Sequence, residues 1–134
     1  MKILRYALAL SVLFAVFSAR PGLASAATYK DPLALVQSYF FALKTGDTAA
    51  LSSMIKGKLK ESRGQVLHGR PGYGRFLRDY YKDARLEAVD IEYLGPDEAK
   101  GTLSVLQGME RVKFRLLLGY SEEDGWQIIE ELLQ

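Results

Sequence analysis

The stretch ERVKFRLLLGY, residues 110–120, places apolar side chains at every second position. Apolar and basic residues alternate along it, as Val112, Phe114, Leu116 and Leu118 against Arg111, Lys113 and Arg115. A period of two is typical of a β-strand with one face buried and the other in contact with water. The stretch therefore predicts a strand that turns its apolar face toward a core and its charged face outward.

The same period recurs on both sides of this stretch. It is present in residues 85–94 and 99–107, and at the start of residues 125–133, where it blurs beyond Ile129. The breaks between these segments are short and rich in Gly, Pro, Asp and Glu, which suits hairpin turns. Four consecutive strands joined by hairpins predict an antiparallel meander.

The chain before the strands has helical spacing. Asp31-Pro32 is a good helix start, and Leu33, Val36, Phe40 and Leu43 follow at steps of three and four. Gly46 ends this helix and Asp47 caps a second one, Thr48 to about Lys56. Residues 57–74 contain five glycines and predict a loop, with a short extended piece at 65–67. A third helix is predicted from Tyr73 to Ala84, with inward-facing Phe76, Leu77, Tyr80 and Tyr81.

Helices followed by a meander indicate the fold class. The predicted fold is α+β, with three N-terminal helices packed on one face of a curved four-stranded antiparallel sheet. Residues 27–134 form a single domain in this interpretation.

Residues 1–26 have the three parts of a secretory signal peptide. Lys2 and Arg5 precede an apolar run of 12 residues, and a small-residue exit ends in Ala24-Ser25-Ala26. The run is short for a membrane span, which needs about 20 residues. We expect cleavage after Ala26, with Ala27 nearly as suitable, no transmembrane anchor afterwards, and a periplasmic or secreted protein.

Composition excludes several classes of site and partner. The chain has no cysteine and one histidine, which excludes disulfides and thiolate metal sites and leaves no predicted metal or cofactor. Without residues 1–26 it carries 15 basic and 16 acidic residues, so nucleic acid is not an expected partner. Residues 56–85 nevertheless contain nine basic and three acidic residues. That stretch either contacts an anionic partner or is simply solvated. In the second case the acidic residues of the last third of the chain offset its charge.

Several short segments resemble the nuclear-transport-factor-2-like superfamily, a cystatin-like α+β cone that includes ketosteroid isomerases and polyketide cyclases. They are YFFALK at 39–44, TGD at 45–47, AAL at 49–51 and DGWQI at 124–128, in the same order and spacing. The resemblance covers residues 31–133. It implies a pocket between sheet and helices and a homodimer formed through the sheet, but it implies no particular activity.

The strand pattern indicates where the acid–base residues of such an isomerase would have to lie. The mechanism needs a carboxylate base in the pocket, with a tyrosine and a neutral acid stabilising an enolate oxygen. If Val89, Ile91 and Tyr93 face the helices, the intervening acids face away, and the first inner carboxylate is Glu130. No catalytic residue is therefore assigned by resemblance.

The candidate pocket residues are aromatic, with the single histidine added. They are Tyr39, His68, Tyr80, Tyr81, Tyr93 and Trp126. Each also has a plain structural interpretation, as packing for the aromatic residues and as a surface loop for His68. The leading hypothesis is an exported noncatalytic domain that binds a small apolar or amphipathic ligand or an envelope partner protein. The alternatives are an isomerase- or cyclase-like enzyme using His68 or Glu130, and a structural dimer or accessory part of a larger envelope complex.

Overall fold

The computed structural model describes residues 28–132 as four helices followed by four strands. The helices are α1 (Pro32–Thr45), α2 (Thr48–Met54), α3 (Gly57–Gly69) and α4 (Tyr73–Tyr81), and the strands are β1 (Arg85–Gly95), β2 (Glu98–Gln107), β3 (Glu110–Ser121) and β4 (Gly125–Leu132). The predicted signal peptide lies outside these residues. Within them, no helix has the length and apolar character needed to cross a bilayer.

The first helix begins and ends, and the second helix begins, at the residues that the sequence indicates. An Asp31 side-chain oxygen accepts a hydrogen bond from the Leu33 amide at 3.1 Å, and Gly46 follows α1 in the left-handed conformation. Asp47 caps α2 in the same way, by accepting from the Ala50 amide at 3.1 Å. Helix α2 ends at Met54, earlier than predicted, because Ile55 is extended and forms a bridge to Ile128 of β4.

The prediction of a loop over residues 57–74 is wrong, because Gly57–Gly69 is helix α3. Two of its glycines stand at the helix ends, and only Gly64 is interior, where glycine costs about 1 kcal/mol relative to alanine. Leu59 is buried, and Leu67 packs partly buried against the core. Tertiary packing of this apolar side therefore outweighs the weak local propensity.

The sheet is the predicted antiparallel meander in the order β1-β2-β3-β4. Its inner face carries fully buried side chains packed under the helices, among them Leu103, Val105, Leu116, Leu118 and Ile128. The opposite face carries both signs of charge, with Lys100 paired to Glu92 at 3.5 Å. The alternation predicted for residues 110–120 is confirmed at Leu116 and Leu118, which are buried.

An irregularity in β4 changes which of its carboxylates faces inward. Leu118 is paired with Ile128, and its neighbour Leu117 is paired with Glu130, so Ile129 is an extra residue in β4. Leu116, which is buried on the inner face, is paired with Glu131. The prediction that Glu130 is the inner carboxylate is therefore wrong, and Glu131 holds that position.

Candidate functional site

A cleft of about 340 Å³ opens between helices α3 and α4 and the end of the sheet. It is lined by aromatic and apolar side chains and by one pair of opposite charges: Leu43, Arg63, Tyr73, Phe76, Leu77, Tyr80, Tyr81, Phe114 and Glu131. Beneath the cleft, the space left between the helices is only about 10 Å³, which is room for about one water molecule. Of these two spaces, only the outer cleft has room for a molecule larger than water.

The polar base of the cleft is made by three residues from three elements. Glu131 of β4 accepts a hydrogen bond from the Tyr39 hydroxyl of α1, with 3.3 Å between Oη and Oε2. Its other oxygen, Oε1, accepts from Nη2 of Arg63 on α3, and the two side chains form an ion pair. Each carboxylate oxygen thus has its own donor, and the pair fixes Arg63 and Glu131 relative to each other.

The aromatic wall of the cleft runs along α4. Tyr73, Phe76 and Tyr80 form a ladder of stacked rings with centroids 6.0 Å apart at each step. Tyr81 meets Tyr80 edge to face at 4.9 Å and Phe114 of β3 at 6.3 Å. The prediction that Phe76 and Tyr80 face inward is wrong, since both residues are 56% exposed. Only Leu77 of α4 is fully buried, so the neighbouring rings are left at the cleft wall.

Burial controls the proton chemistry of the two tyrosines at this site. It raises the pKa of the Tyr39 phenol well above its usual range, the negative charge of Glu131 raises it further, and Arg63 partly opposes both. The pKa of Tyr81 is raised by burial first and then by the neighbouring Tyr80 and Glu131. Both phenols therefore stay protonated at neutral pH, and that of Tyr39 donates to Glu131.

Replacing Tyr39 with phenylalanine should flatten the loss of stability at alkaline pH. An unfolded tyrosine loses its proton near pH 10, whereas folded Tyr39 keeps it, so the free energy of unfolding falls as pH rises above about 10. Tyr39→Phe removes this contribution. Part of the alkaline loss of stability should remain in the variant, because the pKa of Tyr81 is also raised by folding. At neutral pH the lost hydrogen bond should cost about 1 kcal/mol. Urea unfolding between about pH 7 and 11 measures both effects.

A matched variant is available for this measurement. Tyr93 is 62% exposed, so Tyr93→Phe deletes a phenol that folding does not bury. It should retain the alkaline loss of stability seen in the wild type. An equal flattening in Tyr93→Phe and Tyr39→Phe would contradict the assignment to the buried phenol.

The structure brings together only some of the predicted site residues. Tyr80 and Tyr81 line the cleft, and Tyr39 lies beneath it in contact with Glu131. His68 is exposed at the end of α3, with Nε2 2.9 Å from the Ser52 hydroxyl. Tyr93 and Trp126 contact each other at 6.1 Å away from this cleft. Those three are therefore not part of it.

Sequence reasoning missed the charged pair and part of the aromatic wall. Arg63 was not predicted as a site residue because its segment was predicted to be a loop. Leu59, Arg63 and Leu67 nevertheless recur at steps of four, which is helical spacing. Glu131 was missed because an extra residue in a strand leaves no clear mark in the sequence. Tyr73, Phe76 and Tyr80 do recur at steps of three and four, a signal that could have identified one helix edge.

The Tyr39 hydroxyl has a different partner from the tyrosine that an isomerase-like mechanism requires. An isomerase-like mechanism would need the tyrosine hydroxyl to point at a substrate oxygen. Here the Tyr39 hydroxyl points at Glu131 itself. The Lys58 side chain lies 4.0 Å from Glu130, so the carboxylate that the sequence pattern predicts on the inner face forms a second ion pair between α3 and β4.

Comparisons with known proteins bear on the fold alone. No protein-family model matches the chain, and no curated protein matches it. A crystal structure from Campylobacter jejuni, described as a “Putative NTF2-like transpeptidase”, is similar over 75% of this chain and 98% of its own, with a TM-score of 0.52 and 18% sequence identity. At that identity the likeness carries the architecture and no activity. The chain therefore has an NTF2-like α+β fold, as the resemblance of its sequence implied.

Proposed function

We propose that the domain is an exported, noncatalytic binding domain that holds a small amphipathic molecule in the cleft on α4. The observation that carries the proposal is the cleft itself, in which exposed aromatic rings stand above a polar pair. Small-molecule sites typically combine apolar walls with a few polar groups that fix orientation. Export is supported by the signal-peptide pattern of residues 1–26.

The aromatic wall of the cleft favours a ligand with an apolar body. Phe76 and Tyr80 leave more than half of their surface in contact with water. Covering such surface is favourable by about 25 cal/mol for each Å² of apolar area removed from water. The stacked rings follow one another along α4, an arrangement that suits contact with an alkyl chain or a flat ring system.

The polar side chains at the base of the cleft favour a ligand that also has a polar head group. Arg63 and Glu131 are both partly exposed where they line the cleft, and Tyr39 holds Glu131 from below. A wholly apolar ligand would cover these charges without replacing the hydrogen bonds that they make to water. A molecule with an apolar body and a polar head would satisfy both ends of the cleft.

Native mass spectrometry of the protein purified from its own envelope tests this proposal. We expect an added small-molecule mass on the wild type that is reduced at least tenfold in Phe76→Ala. Phe41→Ala is the matched control, because Phe41 is 65% exposed but lines a different groove, between α1 and α2. It should retain the added mass.

Two outcomes would overturn the binding proposal. A clean mass for the wild type, together with no thermal stabilisation across a panel of lipids and metabolites, would remove it. Recovery of a ligand that the wild type alters chemically and Glu131→Gln does not would replace it with the enzymatic alternative.

A further inference from the structure

We infer that the ligand of the cleft carries an anionic head group and that Arg63 binds it. The inference rests on the proposed function and adds a chemical class to it. It depends on the donors that Arg63 leaves free, on the anchoring of Glu131, and on the charges of the two helices that form the cleft.

The guanidinium of Arg63 has N–H donors that the contact with Glu131 does not use. A guanidinium carries five N–H groups, and the contact with Glu131 uses Nη2. The side chain is 40% exposed and lines the cleft, so its other N–H groups are open to a ligand. Planar N–H pairs of arginine match the two oxygens of a carboxylate or phosphate, which makes arginine the usual residue for such heads.

Glu131 is positioned to orient Arg63 without depending on it. The Tyr39 hydroxyl donates to Oε2 of Glu131, whereas Arg63 donates to Oε1. Glu131 is therefore held from the core, and it in turn holds one edge of the guanidinium. The orientation of Arg63 is set before a ligand arrives, which lowers the entropy cost of binding.

The helices around the cleft favour an anion over a cation. Residues 57–85, which include α3 and α4, contain eight basic and three acidic side chains. Within residues 28–132, the ion pairs do not include Lys60, Arg70, Arg75, Arg78 or Lys82. The two helices that form the cleft therefore carry a net positive charge, which raises the local concentration of anions. Glu130, the second acid near this edge, lies beside Lys58.

A panel of amphiphiles that share one chain and differ in head group tests the inference on the wild-type mature protein. Isothermal titration calorimetry would compare decanoate, decyl phosphate, decanol and decyltrimethylammonium, each below the concentration at which it forms micelles. We expect both anions to bind at least tenfold more tightly than decanol, and the cation to bind most weakly. The tighter of the two anions distinguishes a carboxylate source from a phosphate source.

A charge-matched pair of variants assigns the effect to Arg63. Arg63→Gln should reduce decanoate affinity about tenfold or more and leave decanol affinity within about twofold. Arg75→Gln removes the same charge from an exposed position on α4 that does not line the cleft, and it should change decanoate affinity by less than threefold. Circular dichroism melts of both variants confirm that each is folded.

The possible results separate the inference from the proposed function. If decanol binds as tightly as decanoate, and both depend on Phe76, the inference fails and the binding domain stands. Equal losses in Arg63→Gln and Arg75→Gln would show a general surface field and no head-group site, which also overturns the inference. If no member of the panel binds, the inference fails, and native mass spectrometry of the wild type decides the proposed function separately.

Discussion

Replacing Gly46 with alanine should lower the free energy of unfolding by about 3 kcal/mol and loosen the aromatic wall of the cleft. Gly46 has a φ of 72°, a conformation that costs an L-residue about 1–2 kcal/mol. A Cβ atom there would also lie 2.1 Å from the backbone oxygen of Gly74. Because that oxygen belongs to α4, the clash can be relieved only by moving one helix away from the other, which adds about 1–3 kcal/mol.

Variants at three other glycines separate the cost of the positive φ from the cost of the close contact between the helices. Gly72 has a φ of 87° but open space around it, so Gly72→Ala should cost about 1 kcal/mol from the backbone alone. Gly74 lacks a positive φ, and its Cβ would lie 2.6 Å from the oxygen of Gly46, so Gly74→Ala tests the close approach alone. Gly69 has neither feature, and Gly69→Ala should change stability by less than about 0.5 kcal/mol.

Urea unfolding of these four variants measures the costs, and the binding assay reports the position of α4. The largest loss should belong to Gly46→Ala, with weaker ligand binding in both Gly46→Ala and Gly74→Ala. If Gly72→Ala were as destabilising as Gly46→Ala, the contact between the two helices would not be the reason.

Truncating Trp126 to alanine should cost about 3–5 kcal/mol and leave the affinity of the folded protein for its ligand unchanged. The ring is 5% exposed and packs against Tyr120 at 5.4 Å and Tyr93 at 6.1 Å. Tyr120 is six residues along β3 from Phe114 at the cleft, which is about 20 Å in a strand. Trp126 therefore contributes to the core at the other end of the sheet.

The measurement must use circular dichroism, since the chain has one tryptophan and the variant removes it. Trp126→Phe retains an aromatic ring and should cost less than half as much. Tyr93→Ala, at an exposed position, should cost about 1 kcal/mol, close to the value of one aromatic pair. If Trp126→Ala is folded but no longer binds ligand, Trp126 belongs to the binding site, as the sequence analysis predicts.

The strands illustrate what could be predicted from local pattern. Alternation in residues 110–120 and its neighbours correctly placed the four strands, their antiparallel order and the buried face. A period of two is a direct consequence of strand geometry, so it survives in the sequence wherever one face is buried. Helices α1 and α2 were predictable for a similar reason, because Asp31, Asp47 and Gly46 have local capping roles.

The cleft could not be predicted, because each of its parts depends on contacts between distant segments. Helix α3 is stabilised by packing on α2 and β4, which outweighs its glycines and carries Arg63 to the site. The exposure of Phe76 and Tyr80 depends on how α4 is seated on α1 at Gly46. Neither is a property of the segment itself.

The residues 110–120 and the segments around them determined, by themselves, that this chain is an α+β domain with an apolar inner sheet face and a charged outer one. Only the tertiary structure decided which carboxylate enters the cleft. The extra residue Ile129 in β4 exchanges the faces of Glu130 and Glu131, and strand pairing with Leu117 and Leu116 is what places it there. Alternation is local and is written in the sequence, whereas register depends on the partner strand, so the site followed from the fold and not from the pattern.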